Sequence, residues 1–330
     1  MILILADSTD PWATVLHKEL QRSSGDVCWI QPAQLLDRIQ LNWPVRTDPL
    51  AVSGSVVIDD VPIALADLTG VFARLTWPPA LALDDLSQPD RDYVTKETTA
   101  AWLAFLNALP CTVVNRPIPG GRPTLLAGSP LLSRIAAEQG FLLPSSRCTS
   151  IRADAILQFS AWGERVYLKA LGASEPGMFL QACDGREQIC RMLEQQALSM
   201  QPIPHGQRVT MYVIGDEVVG TVVKPDEAIG NGGDLAALST AHCLGLVHAL
   251  GLSFAECQFV VTPDGLRYCL DVSGAPSLWR CPQDIQQQIV SRLAGVLSVE
   301  RGVPLHDCIN GADSRSGARE RLCQARHPEC

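Results

Sequence analysis

The chain lacks several features that mark large classes of protein. No segment approaches the roughly 20 consecutive apolar residues that a membrane-crossing helix needs, so no membrane partner is expected. Lys and Arg, 26 together against 35 Asp and Glu, form no cluster, and the net charge is −9. That argues against a general nucleic-acid or acidic-membrane surface, since both need clustered cations. The opening MILILADSTD has an apolar run of only five residues and no basic flank, so it reads as a first strand and not as a signal peptide. There is no Cys-x-x-Cys pair among the twelve cysteines. Most sit among apolar neighbours, as in LPCTVV, AHCLGL and RYCLDV, and read as small buried hydrophobes in a reducing cytoplasm. In the tail, His306, Cys308, Cys323, His327 and Cys330 offer zinc-binding chemistry, but their spacing matches no usual finger.

What is present is an ordinary layered composition. A chain of 330 residues, 47% hydrophobic and 18% charged, is long enough to bury the cores of two or three domains. Residues 1 to about 110 alternate short apolar runs (ILILA, VCWI, SVVI, GVFARL) with helical stretches such as WATVLHKELQR and TTAAWLAFLNAL, which predicts an N-terminal parallel α/β domain. Ser-Thr-Asp-Pro-Trp after the first strand supplies an N-cap and an early proline for the first helix. The loop from Arg74 to Pro79 follows a strand, where α/β sheets place ligands, so Arg74 faces either a substrate or an ion-pair partner.

Residues 111 to 150 read as a strand, a Gly/Pro-rich loop, a helix closing at Gly140 and an apolar strand. RVYLKALG then brings Lys169 to a strand end before the small-residue loop GASEPG. A lysine in an apolar run is costly to bury unless an anion meets it; the alternative is a side chain that snorkels to the sheet edge. MQPIPHGQRVTMYVIGDEVVGTVV reads as a linker followed by a hairpin turning at Gly215 and Asp216. A polar, Gly-rich loop then leads into a helix carrying His242 and His248. From Glu256 to Trp279, ECQFVVTPDGLRYCLDVSGAPSLW gives two apolar strands joined by a Thr-Pro-Asp-Gly turn, the second ending on Asp271. Residues 282 to 298 form an amphipathic helix, and residues 301–330, without a hydrophobic pattern, are expected to be a flexible tail.

Together these stretches resemble the ATP-grasp superfamily, in particular its RimK-like and peptide-maturase-like carboxylate–amine ligases, over roughly residues 108 to 300. The resemblance implies an α/β architecture: an N-terminal parallel α/β (pre-ATP-grasp) domain over 1–110, then an ATP-grasp domain over 111–300. The latter divides into a small lobe at about 125–200 and a large lobe at about 201–300. It implies ATP and Mg2+ as cofactors and a small molecule or peptide as substrate. It also implies a role for each residue. Lys169 contacts phosphate, Gln201, Pro202 and Ile203 form the hinge along adenine, and Arg208 faces a phosphate or a substrate carboxylate; a cross-strand ion pair is the other reading of Arg208. Asn231 stands near the position of a substrate or phosphate contact, and Asn115 and Pro117 fit the Asn-x-Pro of the relatives. Asp271, Gln258 and Ser273 occupy the metal-ligand positions. No acid or nucleophile with family support stands beside His242 or His248, which read as packing or surface residues.

The departures are specific. The relatives carry Asp on the first closing strand and Glu-x-Asn on the second, so here only Asp271 keeps its charge. Magnesium binds through one or two carboxylates and phosphate oxygens, and an amide in place of a carboxylate weakens such a site. Ser129 falls where the relatives place a phosphate-contacting lysine; Arg122 and Arg134 either reach inward to replace it or stay as loop and helix-surface charges. Two functions follow. One is ATP-dependent ligation of a carboxylate and an amine through an acyl phosphate. The other is a catalytically degenerate protein that binds nucleotide or peptide, as partner to an active paralogue or as a homodimer.

Overall fold

The computed structural model describes residues 1–23, 26–42, 54–75, 77–117, 130–173, 175–181, 185–226 and 239–298. The N-terminal part holds strands β1 (Ile2–Leu5), β2 (Val27–Ile30), β3 (Ile39–Asn42), β4 (Ser55–Ile58), β5 (Val61–Ala64), β6 (Gly70–Ala73) and β7 (Thr112–Val114), with helices α1 (Pro11–Ser23) and α2 (Gln88–Ala108). A parallel sheet runs β2-β1-β6-β7, so its last strand comes from just beyond residue 110. Strand β1 is apolar throughout because both its faces are covered. Leu3 and Leu5 pack with Trp102 and Phe105 of α2, while Ile2 and Ile4 pack with Trp12 and Leu16 of α1. Helix α1 starts as its sequence demands, with the Asp10 carboxylate accepting from the Ala13 N–H at 2.8 Å ahead of Pro11.

One expectation is overturned here. SVVI reads as part of a parallel pattern, but as β4 it pairs antiparallel with both β3 and β5. Asp59 and Asp60 have positive φ values of 49° and 65°, which close β4 onto β5 in the tight turn that suits strand twist.

The rest of the described chain holds α3 (Pro130–Glu138), β8 (Arg147–Thr149), α4 (Arg152–Ala161), β9 (Arg165–Ala170), β10 (Met178–Gln181), α5 (Gly185–Leu193), β11 (Leu198–Pro202), β12 (Gln207–Ile214), β13 (Glu217–Lys224), α6 (Thr240–Ala249), β14 (Phe254–Val261), β15 (Arg267–Ser273) and α7 (Gln283–Ser298). They build two antiparallel sheets, ordered β10-β9-β11-β8 and β13-β12-β14-β15. The first buries Val166, Leu168, Leu198 and Met200 against Phe159 of α4 and Ile189 of α5. The second buries Val209, Met211, Cys257 and Phe259 with Cys243, Leu246 and Val247 of α6. Both expected hairpin turns form, with Gly215 and Gly265 at φ 57° and 81°. Helix α7 ties this half to the N-terminal sheet. A Cβ on Gly70 would lie 2.6 Å from the Leu297 carbonyl oxygen, so β6 needs glycine where α7 crosses it.

Candidate functional site

Alternation along the strands sorts side chains between the two faces of each sheet. In the first antiparallel sheet Val166 and Leu168 enter the core, which sends Tyr167 and Lys169 to the opposite face. Register places Ser199 beside Lys169 and Gln201 beside Tyr167. In the second sheet Gln258 pairs with Asp271 and Glu256 with Ser273. All eight residues are buried, none exposed by more than 5%. The two polar rows confront one another between the sheets.

Lys169 and Asp271 join them. The Lys169 ammonium lies 3.0 Å from each Asp271 carboxylate oxygen. Asp271 Oδ2 also accepts from the Tyr167 hydroxyl at 2.9 Å and from the Gly177 N–H at 3.2 Å. Burial, then the neighbouring Asp271 charge, pushes the Tyr167 phenol well above its ordinary range and keeps it a donor. Lys169 therefore does not snorkel; the anion it needs is on the facing sheet.

The neighbouring positions are also engaged. The Gln258 Oε1 atom accepts from the Thr210 hydroxyl at 2.9 Å, while its Nε2 donates to Glu256 Oε1 at 2.6 Å. Glu256 Oε2 accepts from the Ser277 N–H at 2.9 Å, and burial raises the Glu256 carboxyl above the usual carboxylate range. The Ser273 hydroxyl oxygen accepts from the Ala275 N–H at 3.1 Å.

The link between the sheets passes through Gln201, Pro202 and Ile203. Gln201 Nε2 donates to the Leu270 carbonyl at 2.7 Å, leaving its Oε1 buried without a partner. The Ile203 N–H reaches the Arg165 carbonyl at 3.2 Å, and its side chain clusters with Tyr167, Val260 and Leu270. Arg165 and Asp226 brace this link with an ion pair of 3.0 Å, and Asp226 also accepts from the Gly206 N–H at 3.0 Å. Arg208 lies across the sheet junction, its guanidinium carbon 4.9 Å from the Phe179 ring centroid, and its strand neighbours are Lys224 and Val260. The cross-strand ion pair thus has no acid at those positions. Arg280 donates to the carbonyls of Pro176 and Gly177, pinning the loop whose N–H reaches Asp271.

Other sequence candidates lie elsewhere. Arg74 pairs with Asp10 at 2.7 Å. Asn115, at φ 52°, holds the end of β7 against the second antiparallel sheet: its Oδ1 accepts from the Ser253 and Phe254 N–H groups, and its Nδ2 donates to the Phe254 and Gly274 carbonyls. His242 packs with Ser239 and Arg267, His248 meets Asp216 at 3.1 Å, and Arg134 is an exposed helix charge near Glu138. Arg122, Ser129, Asn231 and the tail residues His306, Cys308, Cys323, His327 and Cys330 lie outside the described residues. Tyr167 and Glu256 had no role in the sequence reading. The signal available for Glu256 is a carboxylate that shares with Gln258 a strand of otherwise apolar residues.

No known family profile and no curated protein sequence matches the chain. Solved structures do. The macrocyclase MdnC of Microcystis aeruginosa MRC, bound with precursor peptide MdnA, is 14% identical with a TM-score of 0.59, over 89% of this chain and 99% of its own. The ATP-grasp ligase PsnB, complexed with minimal precursor, Mg and ADP, is 15% identical with a TM-score of 0.57, over 90% of this chain and 96% of its own. A RimK-domain ATP-grasp protein of Sphaerobacter thermophilus DSM 20745 is 20% identical with a TM-score of 0.50, over 90% of this chain and 97% of its own. The chain has the ATP-grasp fold. Among the described residues no helix is long and apolar enough to cross a membrane.

The polar seam suits a magnesium nucleotide in three respects. It holds a buried ammonium for phosphate, two buried carboxylates, and in Gln201 Oε1 an acceptor still without a donor. Among the described residues no three His, Cys, Asp or Glu side chains converge to cage a metal. That is the usual situation for magnesium, which takes one or two carboxylates and completes its shell with water and phosphate oxygens.

Proposed function

We propose that the protein is an ATP-dependent carboxylate–amine ligase acting on a peptide. The observation that carries the reading is the meeting of Lys169 and Asp271 between the two antiparallel sheets of an ATP-grasp fold, each side chain exposed by no more than 1%. Buried ion pairs are weak devices for stability, so a site that keeps one calls for another reason. A nucleotide provides it. Lys169 would turn to phosphate, Asp271 to a magnesium ion that neutralises the phosphate charge, with Gln258 and Ser273 beside it. Gln201, Pro202 and Ile203 would follow the adenine, and Arg208 would face a phosphate or the substrate carboxylate. Asn231 remains a candidate contact from sequence alone.

In this chemistry a substrate carboxylate oxygen attacks the γ-phosphorus and ADP departs, leaving an acyl phosphate. An amine then attacks the acyl carbon, phosphate departs and the amine gives up a proton. Positioning and charge stabilisation supply most of the acceleration in such transfers. Because Lys169 and Asp271 are sealed, entry requires the sheets to part about the link at 202–206. The peptide substrate is inferred from MdnC, solved with precursor peptide MdnA, and from PsnB, solved with precursor peptide PsnA2 and AMPPNP. ADP release measured with and without Mg2+ on Asp- and Glu-containing peptides, with hydroxylamine trapping the acyl phosphate as a hydroxamate, tests this reading.

A second reading rests on the full engagement of Asp271 by Lys169, Tyr167 and Gly177 beside the neutral Gln258. It makes the protein a binding partner, for an active paralogue or a second copy, that forms no product under the same assay.

A further inference from the structure

We propose that Glu256 is the second carboxylate of the metal site, and that Gln258, which stands where relatives carry the acid, positions Glu256. The inference rests on the ligase reading for the presence of nucleotide and metal. Its own grounds are geometric. Residues 256 and 258 share one face of β14, and their partners Ser273 and Asp271 share the matching face of β15, so both acids stand in the same buried row.

Glu256 is 0% exposed, yet the hydrogen bonds to its oxygens come from neutral donors, the Gln258 amide and the Ser277 N–H. Each carboxylate oxygen has a further lone pair for a cation. Gln258 is the poorer ligand: its amide hydrogens face Glu256, and its oxygen, which accepts from Thr210, is neutral where magnesium prefers an anionic oxygen. An amide so held between a hydroxyl and a carboxylate fixes the carboxylate's orientation, the arrangement expected of a group that supports a metal ligand. A second sign of a ligand lies on the facing sheet. Gln201 shares the face of Tyr167 and Lys169, is 1% exposed and holds its Oε1 without a partner, while its Nε2 grips the carbonyl of Leu270, next to Asp271. Burying an unpaired acceptor and a carboxylate without a bonded cation is unfavourable unless something arrives to meet them. The acid has thus moved by one step of the strand's alternation, from 258 to 256, without leaving the face.

The test is a titration of Mn2+ into the full chain with a non-hydrolysable ATP analogue present, read by calorimetry and by loss of the free-ion paramagnetic resonance signal. Glu256→Gln should weaken Mn2+ binding by at least about tenfold, as expected when a metal site loses a supporting group, while Glu217→Gln, which neutralises an exposed acid at the start of β13, stays close to the parent. Glu256→Asp, which keeps the charge on a shorter arm, should fall between, and it decides the matter should Glu256→Gln fail to fold by circular dichroism. If the parent binds Mn2+ and both Glu256 variants match it, the assignment is overturned and the ligase reading stands. If the parent binds no Mn2+ beside the analogue, both fall.

Discussion

Lys169 of β9 and Asp271 of β15 form a bidentate ion pair between two sheets, 3.0 Å from nitrogen to either oxygen, with both side chains withdrawn from water. Removing one partner strands a buried charge. Lys169→Met should lower stability by about 3–5 kcal/mol, the range for breaking a buried pair from one side. Adding Asp271→Asn should recover part of that loss, and urea unfolding of the double-mutant cycle measures the coupling.

Tyr167 supplies the third side of the Asp271 cage. Tyr167→Phe keeps the ring packed between Phe179 and the Ile203 cluster but removes one hydrogen bond to a charged acceptor. A loss of about 1.5–3 kcal/mol is expected in the same urea series.

Asn115 joins strands whose partners lie far away in sequence, through four side-chain hydrogen bonds and a positive φ. Asn115→Ala leaves several of those backbone groups unpaired and sets alanine in a left-handed conformation, so a cost on the order of 3 kcal/mol is expected. Asn115→Gly removes the conformational part and should be milder by thermal unfolding.

Arg208 and Phe179 connect the sheets through a cation over a ring. A double-mutant cycle of Arg208→Ala and Phe179→Leu should give a coupling of about 0.5–1 kcal/mol in the unliganded protein.

Local signals in the sequence carried the hairpins, because Thr-Pro-Asp-Gly and Gly-Asp determine turn geometry within a few residues. Lys169 and Asp271 were legible as charges in apolar strands, and alternation alone directed them away from the cores. Their mutual contact was not legible, since the pairing spans 102 residues and crosses sheets. SVVI was misplaced because a short apolar run does not reveal whether its neighbour is parallel; two consecutive aspartates with positive φ decided it. Asn115 matched a motif, but its work as a clasp depends on partners 138 and more residues along the chain. Glu256 is not legible as a site residue because residue 258 holds the position that the resemblance singles out, and only the shared strand face and the Gln258 hydrogen bond bring the two together.

The most direct measurement is calorimetric titration of ATP with Mg2+ into the parent and into Lys169→Ala. Saturable binding by the parent, weakened in the variant by about 1.5–3 kcal/mol, is expected if the buried ammonium leaves Asp271 for phosphate. Equal affinity in the two proteins, or no binding by the parent, would contradict a nucleotide site at the Lys169–Asp271 pair.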